Sequence, residues 1–477
     1  MRGLSMIILI TLLGASAVLP GQSEHENWVW CTSKDPEQSI RGCSAVIQSG
    51  QETGIKLAKA FNNRGNSYAH KGDYDHALED FDQALRLNPR LAHAFYGRGW
   101  AYAHKGDYEH AIQDYDQELR LNTNSAEAFV GRGSAYVLKG DYDHGINDYG
   151  QALRLNPNDA NAVYARASAY ARKGDYDDAI RDFDQAVRLN PSLVNAIYSR
   201  GVAYADKGDY DRAIADYDRA MRLAPSDADP FYSRGVAYKH KGDYDRAIRD
   251  FDQALLLNPS FANAFNGRGL TYESKGNYDR AIQDFDQALR LNPILADAFS
   301  GRGLAYEYKR DYDRAIQDFD QALRLNPILA NAFYNRGLAY EYKGDYDHAI
   351  QDFDQALRLT PNDADAFDNR GWAYAQKGDD DRAIQDYDQA IRLNARQAYA
   401  FRNRSLAYAR KGDYVRAMAD RGHFLWLRFG ILGITIRLCL LALSVAVVSL
   451  FIFKWHRKGL VGSEKLYPGI LHVVLPS

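Results

Sequence analysis

The apolar positions of this chain follow one pattern of 34 residues, clearest at 330–363 (ANAFYNRGLAYEYKGDYDHAIQDFDQALRLTPND). With Ala330 counted as position 1, Phe333, Gly337 and Tyr340 stand at positions 4, 8 and 11, which is the spacing of one helix face. Positions 17, 20, 21, 24, 27 and 28 form a second stripe with the same helical period. The pattern therefore predicts two amphipathic helices in each unit, with small residues where the helices approach and aromatic residues between them.

The residues between the two stripes predict a tight turn. Gly344 suits the left-handed conformation that commonly follows a helix C-terminus. Asp345 is a favourable N-cap for the second helix. Pro361 stops that helix from continuing. Each unit is therefore predicted to be an antiparallel helix pair.

The unit occurs ten times with no insertion or deletion, and a partial eleventh copy begins at Ala398 and loses the pattern at Arg421. A fixed period of this length indicates a repeat array, in which each unit buries its apolar face against its neighbours. The complete units begin at Ala58, Ala92, Ala126, Ala160, Val194, Ala228, Ala262, Ala296, Ala330 and Ala364.

The unit resembles the tetratricopeptide repeat family, through Phe at position 4, Gly at 8, Tyr at 11, Ala at 20, Phe or Tyr at 24, Ala at 27 and Pro at 32. The resemblance implies an all-α, right-handed α-solenoid of about ten and a half helix pairs over 58–421. The departures from the pattern are local: Glu118 at position 27, Thr123 and Ala395 in place of Pro, Gly145 at position 20, and Arg310 in place of the turn glycine. A side chain disfavours the left-handed conformation, so we expect Arg310 to strain its turn by about 1 kcal/mol.

Every unit carries Arg at position 7 and Asp at position 23. In a hairpin folded about position 15 these residues lie opposite each other, which predicts one Arg–Asp bridge in each helix pair. An arginine ladder for anionic ligands is the alternative. The acidic pairs at positions 23 and 25, such as Asp284 and Asp286, are interpreted as charges on a helix face rather than as general acids.

The N-terminal segment predicts export. Residues 1–22 contain one basic residue, an apolar run from Met6 to Leu13 and the small triplet Ala15-Ser16-Ala17, which is the layout of a signal peptide cleaved after Ala17. An uncleaved anchor is the alternative.

Residues 23–57 are predicted to form a degenerate cap on the first complete repeat. Cys31 and Cys43 are the only cysteines outside the C-terminal apolar run, so in an exported chain we expect them to form a disulfide. Their spacing is too wide for a CxxC redox or zinc site.

A transmembrane helix with its flanks is predicted at 422–457, because 429–453 is apolar or small except for Thr435, Arg437, Ser444 and Ser449. The basic flank that follows favours the cytoplasmic side, with a short tail at 458–477. Together with the signal, this predicts a single-pass membrane protein whose repeats lie outside the cytoplasm, in the periplasm or outside the cell. A buried terminal helix that caps the solenoid is the alternative.

No catalytic constellation is recognisable, and the sequence predicts a protein that is not an enzyme and has no cofactor, no metal site and no small-molecule substrate. The net charge of −3 disfavours a nucleic-acid-binding surface. Four histidines at position 19 and three at position 13 are not spaced for shared metal coordination. Sequence signatures such as a Walker loop, GxSxG and HExxH are absent from the sequence.

The most informative positions vary while the scaffold stays constant. Positions 2, 5, 9, 12 and 13 share one face of the first helix, and the family resemblance implies that this face lines a concave, peptide-binding groove. In the later repeats the groove is acidic, apolar and aromatic, and the predicted binding residues are Leu270, Glu273, Leu304, Glu307, Tyr308, Tyr334, Leu338, Glu341, Tyr342 and Trp372. In the first four repeats it is near neutral, with Lys59 and Arg172 against Glu127, and with His70, His93, His104, Tyr96, Trp100 and Tyr164.

These features predict a membrane-tethered protein–protein interaction scaffold that binds a basic, amphipathic protein segment. The alternative is a structural protein that assembles with copies of itself through the solenoid ends or the membrane span.

Overall fold

The computed structural model describes residues 23–428, which contain 23 complete helices, a further helical stretch at 414–428 and no strand. The predicted all-α repeat fold is therefore confirmed over these residues. The predicted signal region at 1–22, the predicted membrane span at 429–453 and the tail at 458–477 lie outside them. Between residues 23 and 428 no helix combines the length and the apolar character needed to cross a bilayer.

The chain divides into two compact units, the first ending at Leu257 and the second beginning at Asn258. In the first unit the helices are α1 Glu24–Cys31, α2 Pro36–Ser49, α3 Gly54–His70, α4 Tyr74–Leu87, α5 Ala92–His104, α6 Tyr108–Leu121, α7 Ala126–Lys139, α8 Tyr142–Leu155, α9 Ala160–Lys173, α10 Tyr176–Leu189, α11 Val194–Asp206, α12 Tyr210–Leu223, α13 Ala228–His240 and α14 Tyr244–Leu257. In the second unit they are α15 Ala262–Ser274, α16 Tyr278–Leu291, α17 Ala296–Tyr308, α18 Tyr312–Leu325, α19 Ala330–Lys343, α20 Tyr346–Leu359, α21 Ala364–Gln376, α22 Asp380–Leu393 and α23 Ala398–Arg410.

The turn inside each repeat has the predicted chemistry. Gly344 has φ 79° and ends α19 in the left-handed conformation. Asp345 then caps α20, since its side chain accepts a hydrogen bond from the backbone N–H of His348. Arg310 has φ 60° and is the only residue other than glycine with a positive φ among the described residues. The predicted conformation of Arg310 is therefore confirmed.

The core of each repeat forms where an aromatic ring meets a glycine. Phe353 of α20 is completely buried and packs with Ala349 and Ala373. A Cβ atom placed on Gly337 of α19 would lie only 2.9 Å from Cε1 of Phe353. Glycine at position 8 therefore lets the two helices of a repeat approach closely enough for the ring to fill the space between them.

Gly145, the departure at position 20, has a partner that compensates for it. Val137 of α7 is nearly buried, and its Cγ2 atom would lie 2.5 Å from a Cβ atom on Gly145. Val137 stands at position 12, where the neighbouring repeats have Ala103 and Ala171. The third repeat has thus exchanged a methyl group on one helix for a larger side chain on the other.

The segment before the repeats forms its own helix pair, α1 and α2. Cys31 and Cys43 form a disulfide between these helices, and both are buried with Val46 and Ala60. Ala60 belongs to α3, so the pair covers the apolar face of the first complete repeat. This arrangement agrees with the predicted N-terminal cap.

Candidate functional site

The arginines at position 7 form bidentate bridges with the aspartates at position 23. In the second unit, Nε of Arg336 donates to Oδ2 of Asp352 at 2.8 Å, and Nη2 donates to Oδ1 at 2.6 Å. Asp352 is only 4% exposed. Bidentate, charge-assisted hydrogen bonds of this kind hold the two helices of a repeat in one register. The predicted intra-repeat bridge is present.

Each arginine also reaches back to the preceding repeat, which the sequence analysis did not foresee. Nη1 of Arg98 donates to Oδ1 of Asp82 at 2.6 Å, and Asp82 occupies position 25 of the repeat before. Corresponding pairs are Arg132–Asp116, Arg200–Asp184, Arg234–Asp218, Arg302–Asp286, Arg336–Asp320, Arg370–Asp354 and Arg404–Asp388. The interpretation of the position-25 aspartates as simple helix-face charges is therefore wrong, because they join successive repeats.

This arginine–aspartate ladder leaves little capacity for an anionic ligand. Hydrogen bonding to Asp148 and then to Asp116 raises the pKa of Arg132 above its usual range, despite burial. One rung is incomplete, because Gly150 stands where Arg166 would otherwise meet the preceding aspartate. Arg166 keeps its bridge to Asp182, with Nε at 2.6 Å from Oδ2. The geometry supports a structural role for the arginines.

The predicted groove residues of the second unit differ in how open they are. Tyr308 and Tyr342 are 56% and 59% exposed, and their rings stack on Tyr278 and Tyr312 with centroids 4.9 and 5.2 Å apart. The stack holds each exposed tyrosine in place from one side and leaves its other surface available.

The remaining aromatic residues of the predicted site are half-buried. The hydroxyl oxygen of Tyr334 accepts a hydrogen bond from Nδ2 of Asn369 at 2.8 Å, while Trp372 packs edge-on against Tyr346 at 5.7 Å. These two side chains form wall and floor rather than free contact surface.

The leucine row is less exposed than the sequence predicts. Leu270, Leu304 and Leu338 are half-buried, and each packs against an aromatic core of the second unit. Their contribution to the groove is partly structural.

The glutamates at position 12 are also more buried than their pattern indicates. Oε2 of Glu307 and Oε2 of Glu341 are inaccessible to solvent, and neither has a hydrogen-bond partner. Burial raises the pKa of Glu307 to about 7. Burial, together with Asp368 and Glu307, raises the pKa of Glu341 to about 8. Glu273 is half-buried, and burial together with this carboxylate raises the pKa of Tyr308.

The unpaired buried side-chain atoms are all hydrogen-bond acceptors within residues 23–428. They are Oδ1 of Asn62, Oε2 of Glu118, Oδ1 of Asn266, Oε2 of Glu307, Oε2 of Glu341 and Oε1 of Gln397. No buried donor of a side chain is left unpaired in this part of the chain. A ligand that satisfies these atoms must therefore donate hydrogen bonds.

A simple rule relates some of these acceptors to the sequence. Where position 6 is polar, it bonds to position 5 of the preceding repeat, as Asn403 does to Asp368 at 3.2 Å. Where position 6 is glycine, that bond cannot form. Asn62 precedes a repeat with Gly97, Asn266 precedes one with Gly301, and both have an unpaired oxygen. Comparison of positions 5 and 6 would have revealed these two sites.

The histidines at position 19 are part of the scaffold. Nδ1 of His348 lies 2.7 Å from Oδ2 of Asp345, and the ring stacks on Tyr340 at 5.0 Å. His76, His110 and His144 make the same contacts in the first unit. Within the described part of the chain, no group of three or more His, Cys, Asp or Glu side chains is arranged to hold a metal ion.

Family models described as tetratricopeptide repeats match most of the repeat region. One matches residues 130–194, 164–228, 232–293 and 301–364, and others match 58–91, 92–125, 353–385 and 371–412. No curated protein matches the sequence significantly.

Solved structures with a similar arrangement include three repeat proteins. The Cut9–Hcn1 hetero-tetramer of APC/C is 16% identical, with 86% of this chain and 94% of that chain covered and a TM-score of 0.46. Yeast Tom70 is 18% identical, with 82% and 95% covered and a TM-score of 0.40. A tetratricopeptide repeat protein from Parabacteroides merdae is 23% identical, with 52% and 98% covered and a TM-score of 0.43.

Proposed function

The chain belongs to the tetratricopeptide repeat family, and from that premise we propose that it is a non-catalytic scaffold that binds extended protein segments in the groove of its second unit. Solenoids of this family are typical of protein–protein interaction scaffolds. The proposal goes further in naming the groove of α15, α17, α19 and α21 and the chemistry of its ligand.

The unpaired carboxylate oxygens of Glu307 and Glu341 carry this proposal. A buried acceptor without a partner destabilises the free protein, and a donor that enters the groove removes this cost. Charged donors make the strongest hydrogen bonds to carboxylates. A segment that carries Lys or Arg therefore fits the groove better than an acidic or uniformly polar segment.

The exposed tyrosines favour an amphipathic ligand. Tyr342 lies close enough to Glu307 and Glu341 that burial, followed by these carboxylates, raises its pKa. Tyrosine faces beside carboxylates bind both cationic groups and apolar side chains. We expect Tyr308 and Tyr342 to contribute most of the affinity, as large aromatic residues commonly do at interfaces.

A peptide array probed with the full-length protein tests the proposal. We expect hits that contain Lys or Arg beside aromatic or aliphatic residues. Tyr308→Ala/Tyr342→Ala and Glu307→Gln/Glu341→Gln should each weaken binding of those peptides. Acidic hits, or unchanged binding by both double variants, would refute a working groove at this surface.

The matched control is Asp313→Asn/Asp347→Asn, which also neutralises two acidic groups. These aspartates begin second helices and pair with Lys343 and Lys377 at the exposed edge. Binding should be unaffected in this variant, so a loss equal to that of the glutamate variant would indicate a general charge effect.

We also propose that the scaffold is tethered to a membrane with its repeats on the extracytoplasmic side. The support is the sequence at 1–22 and 429–457. Protease added to sealed spheroplasts should digest the repeats and leave a short C-terminal fragment. Complete protection of the repeats would reverse the proposed topology.

Self-assembly is a second candidate, favoured by one observation. The helical stretch at 414–428 exposes Tyr414, Val415, Met418 and Trp426, which form a potential contact surface at the end of the second unit. Sedimentation velocity of the full-length protein in detergent distinguishes the two functions. A sedimentation coefficient that does not change with protein concentration would exclude self-assembly through this surface.

A further inference from the structure

The first unit contains a cavity that the predicted groove does not include. Its volume is about 470 Å³, and it lies beside α5, α6 and α7. This volume is within the range of small-ligand sites. Its principal lining residues are Tyr96, Trp100, Glu127, Val130, Leu138 and Asp159.

A glycine explains why the cavity occurs in these repeats. The hydroxyl groups of Tyr198 and Ser233 are 2.9 Å apart in a later inter-repeat contact. Tyr96 is the residue equivalent to Tyr198, but the position equivalent to Ser233 is Gly131. The Tyr96 hydroxyl therefore has no side chain to bond at that position, and the space is left open.

One wall of the cavity is aromatic. The ring of Trp100 lies 3.7 Å from that of His104 and 5.9 Å from that of Tyr74, measured between centroids. Nδ1 of His104 donates to the carbonyl oxygen of Trp100 at 2.9 Å, which leaves Nε2 as an acceptor. Trp is the best aromatic partner for a cation.

The charged groups at the cavity are acidic. Glu127 and Asp159 line it, and no Lys or Arg is among its lining residues. Burial, followed by the carboxylates of Glu127 and Glu118, raises the pKa of Tyr96. Asp159 also caps α9 through the backbone N–H groups of its first turn.

Glu118 supplies an independent observation at the same place. It is only 1% exposed, and its Oε2 atom has no hydrogen-bond partner. Every other complete repeat has Ala at this position. A buried carboxylate in place of a methyl group adds negative potential beside the Tyr96 wall, and a nearby cation relieves its unfavourable burial.

We propose that this cavity binds the side chain of an arginine or lysine from a partner protein. Trp100 faces the cationic group, Glu127 and Asp159 pair with it, and Leu138, which is 52% exposed, packs against its apolar stem. An anionic group is repelled by the two carboxylates, and a neutral group leaves the acceptors unsatisfied. This site is separate from the groove of the second unit and does not depend on it.

Site-directed crosslinking with the full-length protein tests the proposal. The probe is a capped peptide, Ala-Leu-Arg-Leu-Ala, with a terminal benzophenone, and the crosslinked residues are mapped by mass spectrometry. We expect crosslinks within 96–159. A peptide with citrulline in place of arginine is the neutral isostere and should give at least tenfold less crosslinking there. Equal crosslinking by both peptides would overturn the proposal.

Shape-conserving variants test the residues. Glu127→Gln/Asp159→Asn should reduce arginine-peptide crosslinking at 96–159 by about tenfold, because each exposed carboxylate contributes up to about fivefold. Asn still serves as a helix N-cap, so α9 should be retained. Glu79→Gln on α4 is the control and should change nothing. Crosslinking at 96–159 that is unaffected in the double variant would contradict a cation site.

The two binding surfaces can be distinguished in the same experiment. Glu307→Gln/Glu341→Gln should leave crosslinks at 96–159 unchanged. If it removes them, the peptide does not bind the first unit independently, and the proposal for this cavity fails. Butylammonium should compete with the arginine peptide only weakly if the apolar stem and flanks are recognised, whereas full competition would show a site for free amines instead of a side chain.

Discussion

At the scale of single residues, burial changes what a carboxylate does. The helical period places Glu307 and Glu341 on the groove face, but it does not give the depth of each side chain. Their buried oxygen atoms and raised pKa values arise from the packing of neighbouring first helices, which no single repeat contains. The face of these residues was predictable from the sequence, whereas their protonation was not.

The protonation of these glutamates should make the second unit less stable as the pH rises. Their pKa values in the folded protein, about 7 and about 8, lie above the usual value near 4.5. Between about pH 4.5 and 8 the folded state therefore holds more protons than the unfolded state, so the stability contribution of these groups decreases with pH. Chemical denaturation at pH 5, 6, 7 and 8 measures the trend.

The variant Glu307→Gln/Glu341→Gln is the control for that trend, because it cannot titrate at these positions. The difference in unfolding free energy between variant and wild type should increase towards pH 8 in favour of the variant. A difference that stays constant from pH 5 to 8 would contradict the buried protonation. Binding of a basic peptide should strengthen over the same range, with proton release measurable by calorimetry in two buffers.

At the scale of the element, the helix pair tolerates departures only when its partner helix compensates. Gly145 and Val137 together fill the space that Ala fills in neighbouring repeats. The sequence identified Gly145 as unusual, but its partner became evident only when α7 and α8 were packed together. Residue patterns along one helix do not specify which residue faces a given position on another.

The substitution Gly145→Ala should destabilise the first unit by about 1–3 kcal/mol, since its new methyl group overlaps Val137. Adding Val137→Ala should recover most of that loss, because the pair then matches the neighbouring repeats. Thermal and chemical unfolding of both variants measures the coupling. If the two effects are simply additive, the packing exchange is incorrect.

The turn between α17 and α18 offers a stabilising substitution. Arg310 adopts φ 60°, which glycine adopts without strain. We expect Arg310→Gly to raise the unfolding free energy of the second unit by about 1 kcal/mol. Arg310→Ala retains a Cβ atom and should give no comparable gain, so an equal gain from both variants would assign the effect to the lost charge.

At the scale of the whole chain, the repeats are joined by the same ionic contacts that hold each helix pair. The position 7 to 23 bridge followed from the geometry of a folded hairpin. The second contact, to position 25 of the preceding repeat, depends on the stagger between repeats and was not evident in the sequence. The ten-fold repetition specified the local fold well, and the inter-repeat chemistry required the structure.

Loss of one arginine should therefore affect two repeats. Arg336→Ala leaves Asp352 buried without its bidentate partner and also removes the partner of Asp320. We expect a loss of about 3–5 kcal/mol, as for other broken buried pairs. Hydrogen exchange should increase in α18, α19 and α20. The exposed Arg358→Ala on α20 is the control, and exchange that increases equally in both variants would refute the bridging role.

The incomplete rung at Arg166 has a mechanical consequence. Because Gly150 replaces the aspartate of the preceding repeat, α8 and α9 lack a tie that the described junctions on either side of them possess. When the first unit is pulled from its two ends in an optical trap, the earliest extension step should begin at this junction. Gly150→Asp should shift that step to a higher force. A single missing carboxylate thus sets the point at which the unit yields under load.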